Sequence, residues 1–293
     1  MAEPRRLNWP AIAVLLVTPV AAAIGVALYA SNHGFHPGDA LNLAAMTTLT
    51  GIAITGGYHR YYTHRTYECH PLVQVFYLLF GAAALQAPVL VWAADHRDHH
   101  RFVDRERDPY CARKGFFWAH MGWIFYSDDA SRRFDNVADL RRKLFVREQQ
   151  RFHVPLGLAV GIGVPFLIGL AFERPWGGVL WGGLLRLVVA HHGTFLVNSA
   201  GHFFGRQPYS ASSTARDSAL LALLTLGEGF HNFHHAFPGD YRNGVRWFHW
   251  DPTKWWIFTL SRLRLAWRLK RTPPSWVQAA RGRKIGHAAT EQR

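Results

Sequence analysis

The sequence predicts an all-α integral membrane protein with four transmembrane helices, on three observations. Nearly half of its 293 residues are hydrophobic, 49%, and they gather into long runs almost free of charge. The formal charge of +14 lies mostly outside those runs, in the segments between and after them. The histidines collect at the ends of the runs, where polar chemistry can be built beside an apolar slab.

Residues 9–30, behind Arg5 and Arg6, are long enough at 1.5 Å per residue to cross a hydrocarbon layer of about 30 Å. The basic start and small residues such as Ala27 and Ala30 also suit a signal peptide. However, the run exceeds the roughly 7–15 residues of a signal core and further spans follow, so a retained helix is the reading. A second, weaker run at 40–57 leads into His59 and His64. Residues 71–92 form a third apolar stretch, interrupted by Gln74, Gln86 and Pro88. Residues 154–172 and 176–197 are two more, joined by a link holding Glu173, Arg174 and Pro175, and read as a helical hairpin. Arg186 falls near the middle of the last run, where a charge costs about 2.5–3.5 kcal/mol on insertion scales; it either lines a polar cavity or snorkels over apolar surface. Residues 1–270 read as one membrane domain, and 271–293, basic and holding two prolines, as a tail that frays at the lipid surface.

The basic residues set the orientation. Thirteen Lys or Arg stand between residues 97 and 151, and the chain after Lys254 is rich in Arg. The positive-inside rule then puts the N-terminus, this linker and the C-terminus on the cytoplasmic side. Two spans precede the linker and two follow it, so 71–92 has to bury itself without crossing. The same distribution argues against nucleic acid as the partner of the positive charge. Cys69 and Cys111 stand apart with no C-x-x-C pair, which excludes a disulfide framework, a zinc ribbon and a cysteine-ligated cluster.

Nine of the histidines form a constellation. His96-Arg97-Asp98-His99-His100 and His231-Asn232-Phe233-His234-His235 share the spacing H-x-x-H-H, which on a helix puts all three rings within about 100° of arc. His59 and His64, five apart, sit about 140° apart on an ideal helix, so a helix end, local unwinding or two metals is needed to use both. His202 closes the stretch Asn198-Ser199-Ala200-Gly201-His202, just past the last run. All nine fall at cytoplasmic ends of spans. One metal takes four to six ligands, so nine imidazoles suit two metals, and imidazole accepts Fe, Zn, Cu or Ni. A ligating imidazole normally donates its other N–H to an acceptor; Asp95, Asp98 and Glu228 stand next to the clusters, with Asp95 and Glu228 the stronger candidates. The other histidines, His191 and His192 included, read as structural.

Assembled, these residues resemble the membrane fatty acyl desaturases of the delta-9 type, the group that contains the stearoyl-CoA desaturases. The resemblance rests on His59-x-x-x-x-His64, His96-x-x-His99-His100, Asn198-Ser-Ala-Gly-His202 and Glu228-Gly-Phe-His231-Asn-Phe-His234-His235-Ala-Phe-Pro238. It extends to Asp108-Pro109 and to the stretch from Gly115 to Trp123, and covers roughly residues 40–250. It implies four spans with a cytoplasmic helical cap, two iron ions held by the nine histidines, and Asn198 acting through a water. It further implies O2-dependent removal of two hydrogens from a long-chain fatty acyl substrate to give a cis alkene. A histidine-box hydroxylase is the nearest rival, and a non-catalytic membrane metal-binding protein a remote one.

Two details bear on substrate and electrons. Where the animal acyl-CoA enzymes carry a basic pair near the coenzyme A phosphates, this chain reads Ser127-Asp128-Asp129, and an arginine before the second box is replaced by Ala94. Acyl-CoA therefore stands only slightly ahead of an acyl-lipid. His36-Pro37-Gly38-Asp39 departs from the haem signature of fused b-type cytochromes at its last residue, so a separate ferredoxin or b-type cytochrome with its reductase is implied as donor.

Overall fold

The computed structural model describes residues 6–126 and 134–290; Arg5 and the Ser127–Asp129 stretch lie outside the described residues. Among the described residues four helices are long and apolar enough to cross a membrane: α1 (Trp9–His33), α2 (Pro37–Thr63), and two further spans, His153–Ala171 and Pro175–Phe203. Each overlaps a run read from the sequence, the third ending at Ala171, one residue short of the expected 172. The 71–92 stretch is not one helix. It breaks into α3 (Pro71–Ala82) and the start of α4 (Val89–Phe102). At 1.5 Å per residue α3 rises only about 18 Å, short of a bilayer core. The remaining elements used below are α5 (Phe116–His120), α6 (Leu144–Arg151), α7 (His153–Ala171), α8 (Pro175–Phe203), α9 (Ala219–Leu224), α10 (His231–Ala236), α11 (Pro252–Arg262) and α12 (Pro274–Thr290).

The chain divides into two compact units, one of residues 1–58, 74–94 and 121–192, the other of 59–73, 95–120 and 193–293. In the first, small residues let helices close in. A Cβ on Gly178 would collide with the Pro165 carbonyl, and one on Gly182 with the Asn42 amide, which itself donates to Pro165 O at 2.8 Å. The link between α7 and α8 is tied down by Arg174, whose guanidinium meets Asp39 at 2.9 Å. His36, in the haem-like tetrapeptide, is a structural residue, because its Nδ1 accepts the Gly38 N–H and caps α2.

Arg186 fits neither expectation. It is 1% exposed, and its guanidinium donates to three carbonyls: Gly182 O at 3.2 Å, Ala83 O at 2.7 Å and Gly161 O at 2.9 Å. Gly161 and Gly182 lie in wide i→i+5 turns, Ala159–Gly163 and Val179–Leu185. Such turns and helix ends leave carbonyls unpaired. Ala83 and Ala84 follow the end of α3, and His191 Nε2 meets Ala84 O at 2.7 Å. Arg186 and His191 thus serve carbonyls freed where α3 stops and where the neighbouring turns widen.

In the second unit a two-stranded antiparallel ribbon pairs β1 (Glu68–Cys69) with β2 (Ala266–Trp267), a small exception to the all-α expectation. The tail expected to fray is helical as α12. Val277 and Ala280 are buried with Tyr209 and Phe233 in one apolar cluster, and Arg281 donates to Tyr209 OH at 2.6 Å. Phe233 belongs to α10, so α12 packs on the back of the helix that carries three of the histidines.

Candidate metal centre

Every one of the nine histidines belongs to the second unit. They sort into two groups whose ligand atoms lie within 4.8 Å of one another: His59, His64, His96, His100 and His234 in one, His99, His202, His231 and His235 in the other. The helix period explains the sorting. On α4, His96 and His100 are four apart, about 40° round the helix, and share the first group; His99, about 100° from His100, faces the second. On α10 the roles reverse: His231 and His235 face the second group and His234 the first.

The pair five apart is reconciled by backbone geometry. The end of α2, Ala53–Thr63, is wound as a π-helix, and His64 N donates to His59 O at 3.1 Å, an i→i+5 bond. A wider turn carries fewer degrees per residue, which brings the two rings onto one side with centroids 4.8 Å apart. The ideal-helix angle used for the sequence does not hold here.

The Nε2 atoms point inward. In the first group they approach at 3.0 Å (His59–His234), 2.9 Å (His234–His100), 3.1 Å (His100–His96) and 3.1 Å (His96–His64). In the second they approach at 3.1 Å (His202–His231), 3.1 Å (His231–His235) and 3.2 Å (His235–His99).

Four of the nine Nδ1 atoms meet a carboxylate or hydroxyl, whereas that of His231 is buried without a hydrogen-bond partner among the described residues. His59 Nδ1 meets Glu228 Oε2 at 2.8 Å, and His99 Nδ1 meets Asp108 Oδ1 at 2.9 Å. His96 Nδ1 meets Tyr110 OH at 2.9 Å. His202 Nδ1 meets Thr214 Oγ1 at 2.8 Å, whose hydroxyl donates to Asp104 Oδ1 at 2.6 Å. A neutral imidazole has one N–H. Where a carboxylate takes it at Nδ1, the Nε2 carries a lone pair, and lone pairs facing one another at about 3 Å call for a cation between them. The donor set therefore fits a metal in each group.

Burial first, then the charges of neighbouring imidazoles, hold His64, His96, His99, His231, His234 and His235 well below the usual histidine range. The same causes, with His59 and His202 as the charges, bring His100 to about 3. These rings stay neutral near pH 7, the form that ligates. Burial works to raise Glu228, but His59 and Arg60 outweigh it and hold the carboxyl at about 2. Burial pushes Asp108 up to about 7, against hydrogen bonds from the Asp104 and Tyr110 backbone.

Glu228 is also held from behind. Arg60 Nη2 donates to its Oε1 at 2.8 Å and Asn243 Nδ2 to its Oε2 at 2.7 Å; Arg60 further meets Asp251 Oδ1 at 3.0 Å and Tyr241 O at 2.9 Å. Asp95 is half-buried on α4 beside His96, whose Nδ1 is held by Tyr110. Asn198 is buried four residues before His202, and its side chain makes no hydrogen bond among the described residues. Sequence reasoning missed Asp108, Tyr110, Thr214 with Asp104, and Arg60 as outer partners. Only Asp108, within the Asp108-Pro109 match, carried any signal.

Several named proteins are similar to this chain. A "Probable acyl-CoA desaturase" of Schizosaccharomyces pombe is 42% identical over 232 residues, 78% of this chain and 48% of that protein. "Acyl-CoA desaturase 1" of Saccharomyces cerevisiae is 38% identical over 232 residues, 78% of this chain and 46% of that protein. Human "Stearoyl-CoA desaturase 5" is 33% identical over 245 residues, 80% of this chain and 73% of that protein. The chain spans about half the length of the two yeast relatives it matches. The sequence pattern of the family described as "Fatty acid desaturase" matches residues 37–271, and the chain belongs to that family.

Proposed function

We propose that this membrane protein is an O2-dependent fatty acyl desaturase that introduces a cis double bond, at the delta-9 position, into a saturated acyl chain. The observation that carries this is the pair of histidine groups, five and four, with facing Nε2 atoms and a carboxylate or hydroxyl at the Nδ1 of His59, His96, His99 and His202. Two iron ions bound there would supply the oxidising power that an unactivated methylene C–H demands.

In this reading the chain's residues position and protect. His59, His64, His96, His100 and His234 hold one iron, and His99, His202, His231 and His235 the other. Glu228, Asp108, Tyr110 and Thr214 fix ring orientation by accepting or relaying the Nδ1 protons. Asn198 contributes through a water. Asp95 acts from the outer layer of α4. Nitrogen ligands resist oxidation, and burial of six of the nine histidines, with His64, His100 and His235 half-buried, limits the access of bulk water to the reacting centre. Acyl-CoA is the carrier favoured, in keeping with the relatives' names, over an acyl-lipid. Electrons come from a separate ferredoxin or b-type cytochrome with its reductase. The termini and the metal centre face the cytoplasm, on the strength of the thirteen Lys or Arg between residues 97 and 151.

Expression in a host lacking the corresponding unsaturated lipid tests the reading. Mass spectrometry should find a new cis double bond, lost in His234→Ala. A hydroxylated chain without an alkene would make the protein a hydroxylase, and an unchanged lipid profile would leave it a metal-binding protein without this activity.

A further inference from the structure

Residues 244–263 display an apolar surface unlike that of a soluble domain. Trp247, Phe248 and Trp250 are 84%, 56% and 43% exposed; on and just beyond α11, Trp255, Phe258 and Leu263 are 40%, 46% and 63% exposed. Positions 255 and 258 fall on one stripe of α11, while Thr253, Ile257 and Leu260 on the other face are buried. Ring pairs join loop and helix into one patch: Trp247 against Phe248 at 5.6 Å, and Trp250 against Trp255 at 5.5 Å.

The loop that presents these rings is firmly built. Lys254 is buried, and its ammonium donates to Gly244 O at 2.8 Å, Arg246 O at 2.6 Å and His249 O at 3.0 Å. Asp251 Oδ2 accepts the N–H groups of Asn243 and Gly244 at 2.9 and 3.0 Å, and His249 stacks on Phe230 with centroids 4.5 Å apart. With its backbone and His249 tied inward, the loop cannot fold its tryptophans into the core without breaking these bonds.

Charge at the rim has one sign. Between residues 241 and 272 there are eight Lys or Arg and a single acid, Asp251. Asp251 is fully buried and engaged with Arg60, whereas Arg246, Arg262 and Arg264 are exposed. Tryptophans flanked by uncompensated arginines match the layer of a bilayer where rings meet glycerol and cations meet phosphate. A transient electron-carrying protein fits this less well, since such encounters use small interfaces.

We propose that loop 244–250 and the outer face of α11 seat in the headgroup layer of an anionic bilayer, a contact additional to the four spans. The same frame reaches the metal centre: Asp251, which fixes the loop, is 3.0 Å from Arg60, which holds Glu228 against His59. Membrane seating and the first histidine group therefore share one hydrogen-bonded scaffold.

The test uses the full chain in nanodiscs, with nitroxide labels on Trp247→Cys and Phe258→Cys and on Glu106→Cys, an exposed control site. Cys69 and Cys111 are buried, so labelling is directed to the introduced thiol. Labels at 247 and 258 should show oxygen accessibility above that of a water-soluble nickel chelate, the reverse of 106, and the difference should grow as anionic phospholipid replaces zwitterionic. Chelate accessibility equal to that at 106 would overturn the proposal. Shielding from both relaxants would also overturn it, by showing that a protein surface covers the patch. Each labelled variant is compared with wild type for thermal melting, so that a misfolded sample is recognised.

Discussion

His59 Nδ1 and Glu228 Oε2 stand 2.8 Å apart, and the same carboxylate accepts Arg60 Nη2 at 2.8 Å. One carboxylate thus orients a member of the five-histidine group and neutralises a buried guanidinium. Glu228→Gln keeps the volume but loses the charge, and is expected to weaken metal binding in that group by about 10–100-fold. Glu228→Ala also leaves Arg60 with Asp251 as its one carboxylate, at a cost of roughly 3–5 kcal/mol. Metal content and thermal melts of the two variants check this: the alanine should lose both metal and stability, the glutamine chiefly metal.

Asp108 and Thr214 serve the other group, through His99 and His202. Asp108→Asn and Thr214→Val should each drop bound metal from two towards one per chain and leave the first group loaded. Combined with Glu228→Gln, either should bring it towards zero. Thr214→Ser, which retains the hydroxyl between His202 and Asp104, should behave as wild type. Iron analysis of purified protein decides; loss of both metals in Asp108→Asn alone would show that the groups do not fill independently.

Arg186 is a structural cation. Removing its three carbonyl bonds in Arg186→Met should destabilise by about 3 kcal/mol, at roughly 1 kcal/mol per net hydrogen bond. Arg186→Lys should recover part of this, since an ammonium has three donors but no planar fork. Thermal unfolding in detergent measures the order wild type, lysine, methionine; a methionine variant as stable as wild type would refute the assignment.

Asp217 supplies a pH dependence apart from the ligands. Its Oδ1 accepts the Asn232 and Phe233 N–H groups at 2.8 and 3.0 Å at the start of α10. Burial raises its carboxyl to about 6, against those bonds and Arg281. The folded state then holds a proton that the unfolded state has released, so this contribution is fully present below the ordinary carboxylate value and is lost as pH rises through about 6. It amounts to roughly 2 kcal/mol once screening at its partly solvated edge is allowed for. Asp217→Asn accepts the same N–H groups and should lose this slope: its stability relative to wild type should rise between about pH 4 and pH 7.

The clustering of histidines was legible because the repeated H-x-x-H-H spacing gathers rings on helix faces at the ends of the apolar runs; their division, His96 with His100 and His231 with His235 but His99 and His234 apart, was not, because it depends on how the helices face one another. The four apolar runs were legible through length and charge. What stayed hidden depended on backbone detail or long loops. The five-residue spacing of His59 and His64 called for a helix end, local unwinding or two metals, and only the fold selects the π-wound end of α2. Thr214 reaches His202 across a loop, and Arg60 faces Glu228 from a point 168 residues away in the chain. Arg186 looked like a functional or surface charge because the carbonyls that need it are released only by the folded turns. The basic composition of 271–293 concealed α12, whose burial rests on Val277 and Ala280.

Anomalous scattering at the iron edge, from crystals of iron-loaded protein, tests the central claim most directly. Two peaks are predicted, one enclosed by the Nε2 atoms of His59, His64, His96, His100 and His234, the other by those of His99, His202, His231 and His235. A single peak, or density on the outer Nδ1 side against Glu228 or Asp108, would contradict it.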